Sequence, residues 1–336
     1  MRTFAKVLGV LVLWVVLLLV IAWGSAALWF DHPASLPLAG VLAAVYALAS
    51  LALLIKVRPW GRASAAVLVL FAVVLVWWLS LAPSNDRDWQ RDVARLPTVD
   101  IQGDTVTIHN VRNFDYRSET DYTERWETRT YDLSKVQGLD LFLIYWGSPS
   151  IAHTILSWQF HDGPPLAISI ETRKEEAESY SAIRGFFRQY ELYYVVADEN
   201  DVARLRSNYR NEDVYLYRLR TPPARARAIL LDYLETINQL AGEPRWYNAL
   251  IHNCTTNIRM HANNVVGGIP SDWRWLANGY LDQLLYEYGV LNREVPFTEL
   301  KSSSYVNPKA KALSPDDTYS EVIRVDLPER SPPPEN

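Results

Sequence analysis

Residues 152–174 read AHTILSWQFHDGPPLAISIETRK. Two runs rich in β-branched and alternating residues flank Asp162-Gly163 and a pair of prolines, which is the pattern of a β-hairpin. If the chain turns near Gly163, the numbers of paired residues sum to about 326, within two, by the period-2 rule of a strand. His153 then faces Glu171 or Arg173, and all three are odd-numbered, so they share one face of the sheet. Ile155, Ser157 and Gln159 lie on that face of the first strand, and Ala167 and Ser169 on that of the second. Leu166, Ile168 and Ile170 lie on the other.

Outward from the hairpin the pattern stays mixed. Upstream are the β-type runs VDIQGDTVTIHNVRNF (99–114), TERWETRTYDLS (123–134) and LDLFLIYWGS (139–148). Downstream the sequence predicts a helix over 175–189, a strand ELYYVV (191–196), a helix over 197–210 and a strand VYLYRLR (214–220). Thr221-Pro222-Pro223 then opens a helix that ends at Gly242, with proline in the first turn. This is an α+β arrangement without internal repeats, and residues 99–300 read as one domain. Residues 301–336, rich in Ser, Pro and charge, are expected to be mostly disordered.

The first 84 residues are different in kind. Residues 7–30, 36–55 and 63–83 form uncharged apolar runs of 24, 20 and 21 residues, and about 20 suffice to span a bilayer as a helix. Residues 1–84 are therefore expected to be a three-span membrane anchor, and 85–98 a polar linker. Arg2 and Lys6 precede the first run, and Lys56, Arg58 and Arg62 lie between the second and third. By the positive-inside rule the N-terminus faces the cytoplasm and everything after Pro83 lies outside it.

The anchor carries five basic side chains and one acidic one, Asp31, so the overall net charge of −5 leaves −9 on the remainder. That balance speaks against a nucleic-acid partner. With 49% hydrophobic residues and one cysteine, long disorder and a disulfide scaffold are excluded as well. No HExxH, P-loop or GxGxxG occurs and one cysteine cannot build a cysteine-rich zinc site, so neither a metal nor another cofactor is expected.

That cysteine, Cys254, is the most informative residue. Outside the cytoplasm a lone cysteine is an inert buried thiol, half of an intermolecular disulfide, or a reactive nucleophile. The segment NCTTNIRMHANNVV (253–266) reads as a helix with Asn253 as N-cap, which places Cys254 in the first turn. There the helix dipole and free N–H groups around Asn253 and Thr255 favour a thiolate and can hold an oxyanion. A small residue packed beneath a helix start is the plainer alternative.

A thiolate nucleophile needs a base, and the chain has six histidines. His32 lies in the loop between the first two runs, and His161 is a turn residue. His252 and His261 are badly placed relative to Cys254, and His109 has no polar company. His153 has Glu171 across the hairpin, which can orient the imidazole as the third member of a triad does. The alternatives are a half-buried strand histidine and a surface ion pair for Glu171. The aromatic run Trp273, Trp275, Tyr280, Tyr286 and Tyr288 lines an acyl groove or simply packs.

The string NCTTNI (253–258), with Tyr247-Asn248 upstream, resembles the Lnb-type family of bacterial envelope proteins. So do SPSIAHTILSWQF (148–160), LAISIETRKE (166–175) and NFDYRSETDYTERWETRTYDL (113–133). The resemblance covers roughly residues 100–285. The family is named for a lipoprotein N-acyltransferase, and its domain is similar to circularly permuted papain-like folds of the NlpC/P60 kind, in which the histidine strand precedes the cysteine helix. The resemblance implies Cys254 as nucleophile, His153 as base and Glu171 as third member. It implies a cysteine acyltransferase anchored in the bacterial inner membrane with its C-terminal domain in the periplasm, acting on phospholipid or lipoprotein. A hydrolase or peptidase on the same dyad, and a catalytically silent envelope binding module, are the alternatives.

Overall fold

The apolar runs form α1 (Arg2–Asp31), α2 (Leu36–Lys56) and α3 (Trp60–Ser80), each long and apolar enough to cross a membrane. The computed structural model describes residues 2–32, 36–314 and 316–330. The chain divides into two units, Met1–Ser84 with Tyr180–Tyr190, and Asn85–Ser179 with Glu191–Asn336.

The first unit holds one feature the sequence did not announce. The segment Tyr180–Tyr190 belongs to it, where a helix over 175–189 was expected. A single 3-10 turn at Arg184–Phe186 forms instead. Phe187 is buried with Leu17, Ile21, Ala27 and Tyr46, and its ring lies 5.2 Å from that of Phe30. Asp31 receives hydrogen bonds from the Trp78 indole (2.6 Å), the Arg188 backbone (3.2 Å) and the Gln189 amide (3.0 Å). A buried carboxylate must be partnered, and the segment supplies two of its donors.

The second unit is built on a mixed sheet. Its N-terminal strands are β1 (Thr98–Gln102), β2 (Thr105–Arg112), a short ribbon β3 (Asp115–Tyr116) with β4 (Tyr122–Thr123), and β5 (Trp126–Asp132). There follow β6 (Val136–Tyr145), β7 (Ala152–Phe160), β8 (Leu166–Arg173) and β9 (Glu191–Ala197), then α4 (Glu199–Arg204) and β10 (Asp213–Arg218). The order across the sheet is β1-β2-β9-β8-β7-β6-β10, with β5 also on β2. Neighbours are antiparallel except β2 and β9. In the β7–β8 hairpin Ile155 pairs with Ser169 and Leu156 with Ile168, so paired numbers sum to 324, inside the expected margin.

Central strands are buried on both faces, because helices cover both. α5 (Pro223–Gly242) packs on one side, where the Trp158 indole donates to the Ala226 carbonyl at 2.8 Å. α6 (Cys254–Val266) and α7 (Leu281–Glu287) follow it in the chain. The other side is covered by the C-terminus: after α8 (Phe297–Ser303) come α9 (Asn307–Lys311) and α10 (Tyr319–Val322). Val306, Ala310, Tyr319 and Ile323 bury themselves on Ile155, Ala167 and Val195.

Two expectations are corrected here. Residues 301–314 and 316–330 are not a disordered tail: apolar residues spaced through a polar sequence find the second face of the sheet. Arg324 pairs with the buried carboxylates of Asp140 (2.9 Å) and Glu199 (2.6 Å). Residues 331–336, also expected to be disordered, lie outside the described residues. Nor are residues 85–98 merely a polar linker. Trp89 and Val93 are buried in the same core, and the Arg173 guanidinium sits 4.2 Å from the Trp89 ring. The charges around Trp89 hid an i, i+4 apolar pair.

Candidate active site

The start of α6 is fixed by side chains that replace missing backbone partners. Asn253 is extended (φ −93°, ψ 179°), and its side chain accepts from the Thr256 N–H at 2.9 Å. Thr256 Oγ1 accepts from the Asn253 N–H at 2.9 Å, which completes a capping box. Before it, the Asn248 side chain accepts from the N–H groups of Leu250 (2.9 Å) and Ile251 (3.2 Å) and holds a tight turn. Asn253 thus stands as the N-cap, and Cys254, buried and free of any disulfide, is the first helical residue.

Thr255 is fully buried and does not project toward solvent. Its hydroxyl receives the Asn278 amide at 2.6 Å and lies 3.3 Å from Thr154 Oγ1. Asn278 also donates to the Ala152 carbonyl (2.6 Å) and accepts from the Ala152 N–H (2.8 Å). One amide therefore bolts the start of β7 to the start of α6. The next residue must be glycine for this approach: a Cβ on Gly279 would stand 2.1 Å from the Pro149 carbonyl oxygen.

His153, at the start of β7, is 8% exposed. Its Nε2 lies 2.7 Å from Ser169 Oγ, which in turn donates to Glu171 Oε1 at 2.7 Å. Nε2 is itself 3.5 Å from Glu171 Oε1. With Nε2 engaged there, the imidazole and the Cys254 thiol act on each other electrostatically, the imidazole favouring the thiolate and the thiolate the imidazolium. The relay continues outward. Arg206 donates to Glu171 Oε1 at 3.1 Å and to Glu212 Oε2 at 3.1 Å. Arg206 lies on a π-helical turn, Leu205–Tyr209, that extends α4, and such turns recur at functional sites.

The electrostatics follow from burial against pairing. Burial pushes the Cys254 thiol up, but His153 beside it, with help from Thr154, brings it down to about 6. Burial and Arg206 push His153 down, and the thiolate and Glu171 more than reverse this, raising it to about 9. Burial raises Glu171 too, yet His153 and Arg206 hold it well below the usual carboxylate range. Between these values the site is a thiolate–imidazolium pair. A thiolate at a helix N-terminus, with a proton on the adjacent imidazole, can attack a carbonyl carbon and protonate the group that leaves.

The other histidines lie elsewhere. His109 pairs with Asp100 (2.9 Å) and His161 with Asp162 (2.9 Å), both exposed. His261 is buried between Asp232 (2.5 Å) and the Tyr194 hydroxyl (2.8 Å), and His252 bridges back to Asn248. Arg173, the alternative partner across the hairpin, turns to the Val93 carbonyl instead. Sequence reasoning missed Ser169, Arg206 and Asn278 as members of the site. Ser169 had a signal, since it sits between His153 and Glu171 on the shared face; the other two had none.

A family model described as the Lnb N-terminal periplasmic domain matches residues 122–279. The chain carries an Lnb-type domain. The match runs from β4 to the residue after Asn278, so every side chain of the Cys254–His153 cluster and its relay lies within the Lnb-type segment. With three apolar helices ahead of it, the chain is a membrane protein with a periplasmic part. Comparison with curated proteins and with solved structures gives no match.

Proposed function

We propose that the protein is a cysteine-dependent acyltransferase of the bacterial envelope, held in the inner membrane by α1–α3 with its N-terminus in the cytoplasm. The observation that carries the reading is the buried Cys254–His153 pair at a capped helix start, with Ser169, Glu171 and Arg206 behind the imidazole. The Cys254 thiolate attacks the carbonyl carbon of a phospholipid or diacylglyceryl ester. The His153 imidazolium gives its proton to the departing alkoxide, and a thioester forms. The neutral imidazole then takes the proton of an incoming amine as its nitrogen attacks the thioester carbonyl, the thiolate leaves, and an amide results. The α-amino group of a lipoprotein's N-terminal cysteine is the acceptor this reading assigns.

The test is incubation of the full chain with phospholipid, followed by a lipopeptide bearing a free α-amine, and mass spectrometry of both. A hydroxylamine-sensitive acyl adduct on Cys254 that moves to the amine supports the proposal. Release solely as free fatty acid makes the protein a hydrolase, and cleavage of a muropeptide without any adduct makes it a peptidase. Full activity in Cys254→Ala overturns all of these, and absence of every activity in the native chain leaves the silent binding module.

A further inference from the structure

Three segments meet around Cys254 and His153. The loop 146–151 leads into β7, and Trp146 lies with its ring 6.4 Å from the His153 ring. The turn 248–252 leads into α6. The segment 272–280 carries Asn278, and it is laid on the first loop by the Gly279 N–H to Ser150 carbonyl bond (3.0 Å) and the Tyr280–Ser150 hydroxyl contact (3.4 Å). Each segment turns large apolar side chains to solvent: Trp146 (39% exposed) and Ile151 (51%), Leu250 (52%) and Ile251 (65%), Trp273 (63%) and Leu276 (54%).

Clustered exposure of this kind marks an interaction surface. Its chemistry is uniform. The loops 146–151 and 248–252 contain no acidic or basic residue apart from His252. In the third segment Arg274 is paired with Asp272 at 2.9 Å and with Glu287 at 2.8 Å. Tryptophan with aliphatic residues at loop tips suits the headgroup–acyl boundary, where an apolar ring body and a polar N–H are both accommodated. The unit is also tethered: its first residue, Asn85, follows the end of α3 at Ser80 by five positions.

We infer that the rim formed by Trp146, Ile151, Leu250, Ile251, Trp273 and Leu276 docks the mouth of the Cys254 site on a lipid bilayer surface by apolar insertion. Docking holds the thiolate at the depth of glycerol esters, so an acyl chain enters without crossing water. The net charge of −9 on the chain beyond the anchor makes this docking independent of anionic lipid, since an acidic surface gains nothing from an acidic leaflet.

Because Cys254 is the sole cysteine, Cys254→Ala gives a cysteine-free full chain into which Ile251→Cys, Trp273→Cys or the exposed control Glu119→Cys is placed. Each is labelled with an environment-sensitive fluorophore and reconstituted in nanodiscs of phosphatidylethanolamine, with and without phosphatidylglycerol. The expected result is quenching at 251 and 273, but not at 119, by a lipid carrying a nitroxide near the headgroup, unchanged by phosphatidylglycerol or by 0.5 M salt. Equal, weak quenching at all three positions overturns the inference, as does quenching that appears only with anionic lipid. Quenching lost on dilution of the protein to one copy per disc overturns it in favour of a second copy as occupant. None of these readouts depends on catalysis, so the inference and the acyltransferase reading fail separately.

Discussion

Removing the His153 imidazole should change the reactivity of Cys254 in opposite directions at low and high pH. In the native protein the thiol ionises near 6, because His153 outweighs a burial effect that alone pushes it up. His153→Ala keeps the burial and removes the opposing partner, so the midpoint moves to or above the free-thiol value of about 8.5. Below both midpoints the rate with a disulfide probe follows the thiolate fraction multiplied by its nucleophilicity, and nucleophilicity falls as pKa falls with a slope of about 0.45. A shift of about 2.5 units then makes the variant about 20-fold slower at pH 5 and about 10-fold faster at pH 10. The two pH–rate curves must cross. The assay is stopped-flow reaction of the full chain with an aromatic disulfide from pH 4.5 to 10.5. Parallel curves, or a native midpoint near 8.5, would refute the ion pair and with it the assignment of His153 as base.

Further outcomes follow from the same geometry. His153 is raised and Cys254 lowered, so the ion pair is present between about 6 and about 9; acyl transfer should show a bell-shaped kcat/KM with limbs near those values, belonging to the coupled pair, and a single-limb profile would contradict it. Cys254→Ser removes the thiolate that raises His153 and leaves burial and Arg206 pulling down, so the imidazole NMR titration should move well below 9. Gly279→Ala sets a methyl against the Pro149 carbonyl and should cost about 1–3 kcal/mol, read as a lower denaturation midpoint with loss of activity; a neutral result would mean the 278–280 segment is free to shift. Arg324→Met strips a guanidinium from buried Asp140 and Glu199 and should destabilise by about 3–5 kcal/mol; a change under about 1 kcal/mol would mean the C-terminal residues do not hold the core.

The hairpin was legible because alternation, a glycine turn and parity are local properties: they put His153 opposite Glu171 to within the stated two residues. The α6 start was legible for the same reason, since an N-cap is written in adjacent residues. What escaped depends on chain that returns from afar. Arg206 reaches Glu171 from a π-helical turn 35 positions on, and nothing in LRSNY separates a buried arginine from a solvated one. Asn278 acts by mimicking a strand edge for Ala152, 126 positions earlier. The C-terminal residues read as disordered because their apolar residues are sparse and aperiodic; they pack because Trp89, Val93 and α4 cover only part of the sheet's second face.

The membership of Tyr180–Tyr190 in the helical unit bears on how the chain is made. α1–α3 leave the ribosome first, while Phe187, Arg188 and Gln189 follow more than a hundred residues after Ser80. At about 5–20 residues per second, Arg188 and Gln189, two of the three donors to Asp31 among the described residues, are made about 5–20 s after Trp78. The first unit therefore cannot be complete until residues 180–190 have been translated. Expression work meets the same interleaving: a chain begun at Asn85 still carries Phe187, now without Phe30 and Trp23 to cover its ring.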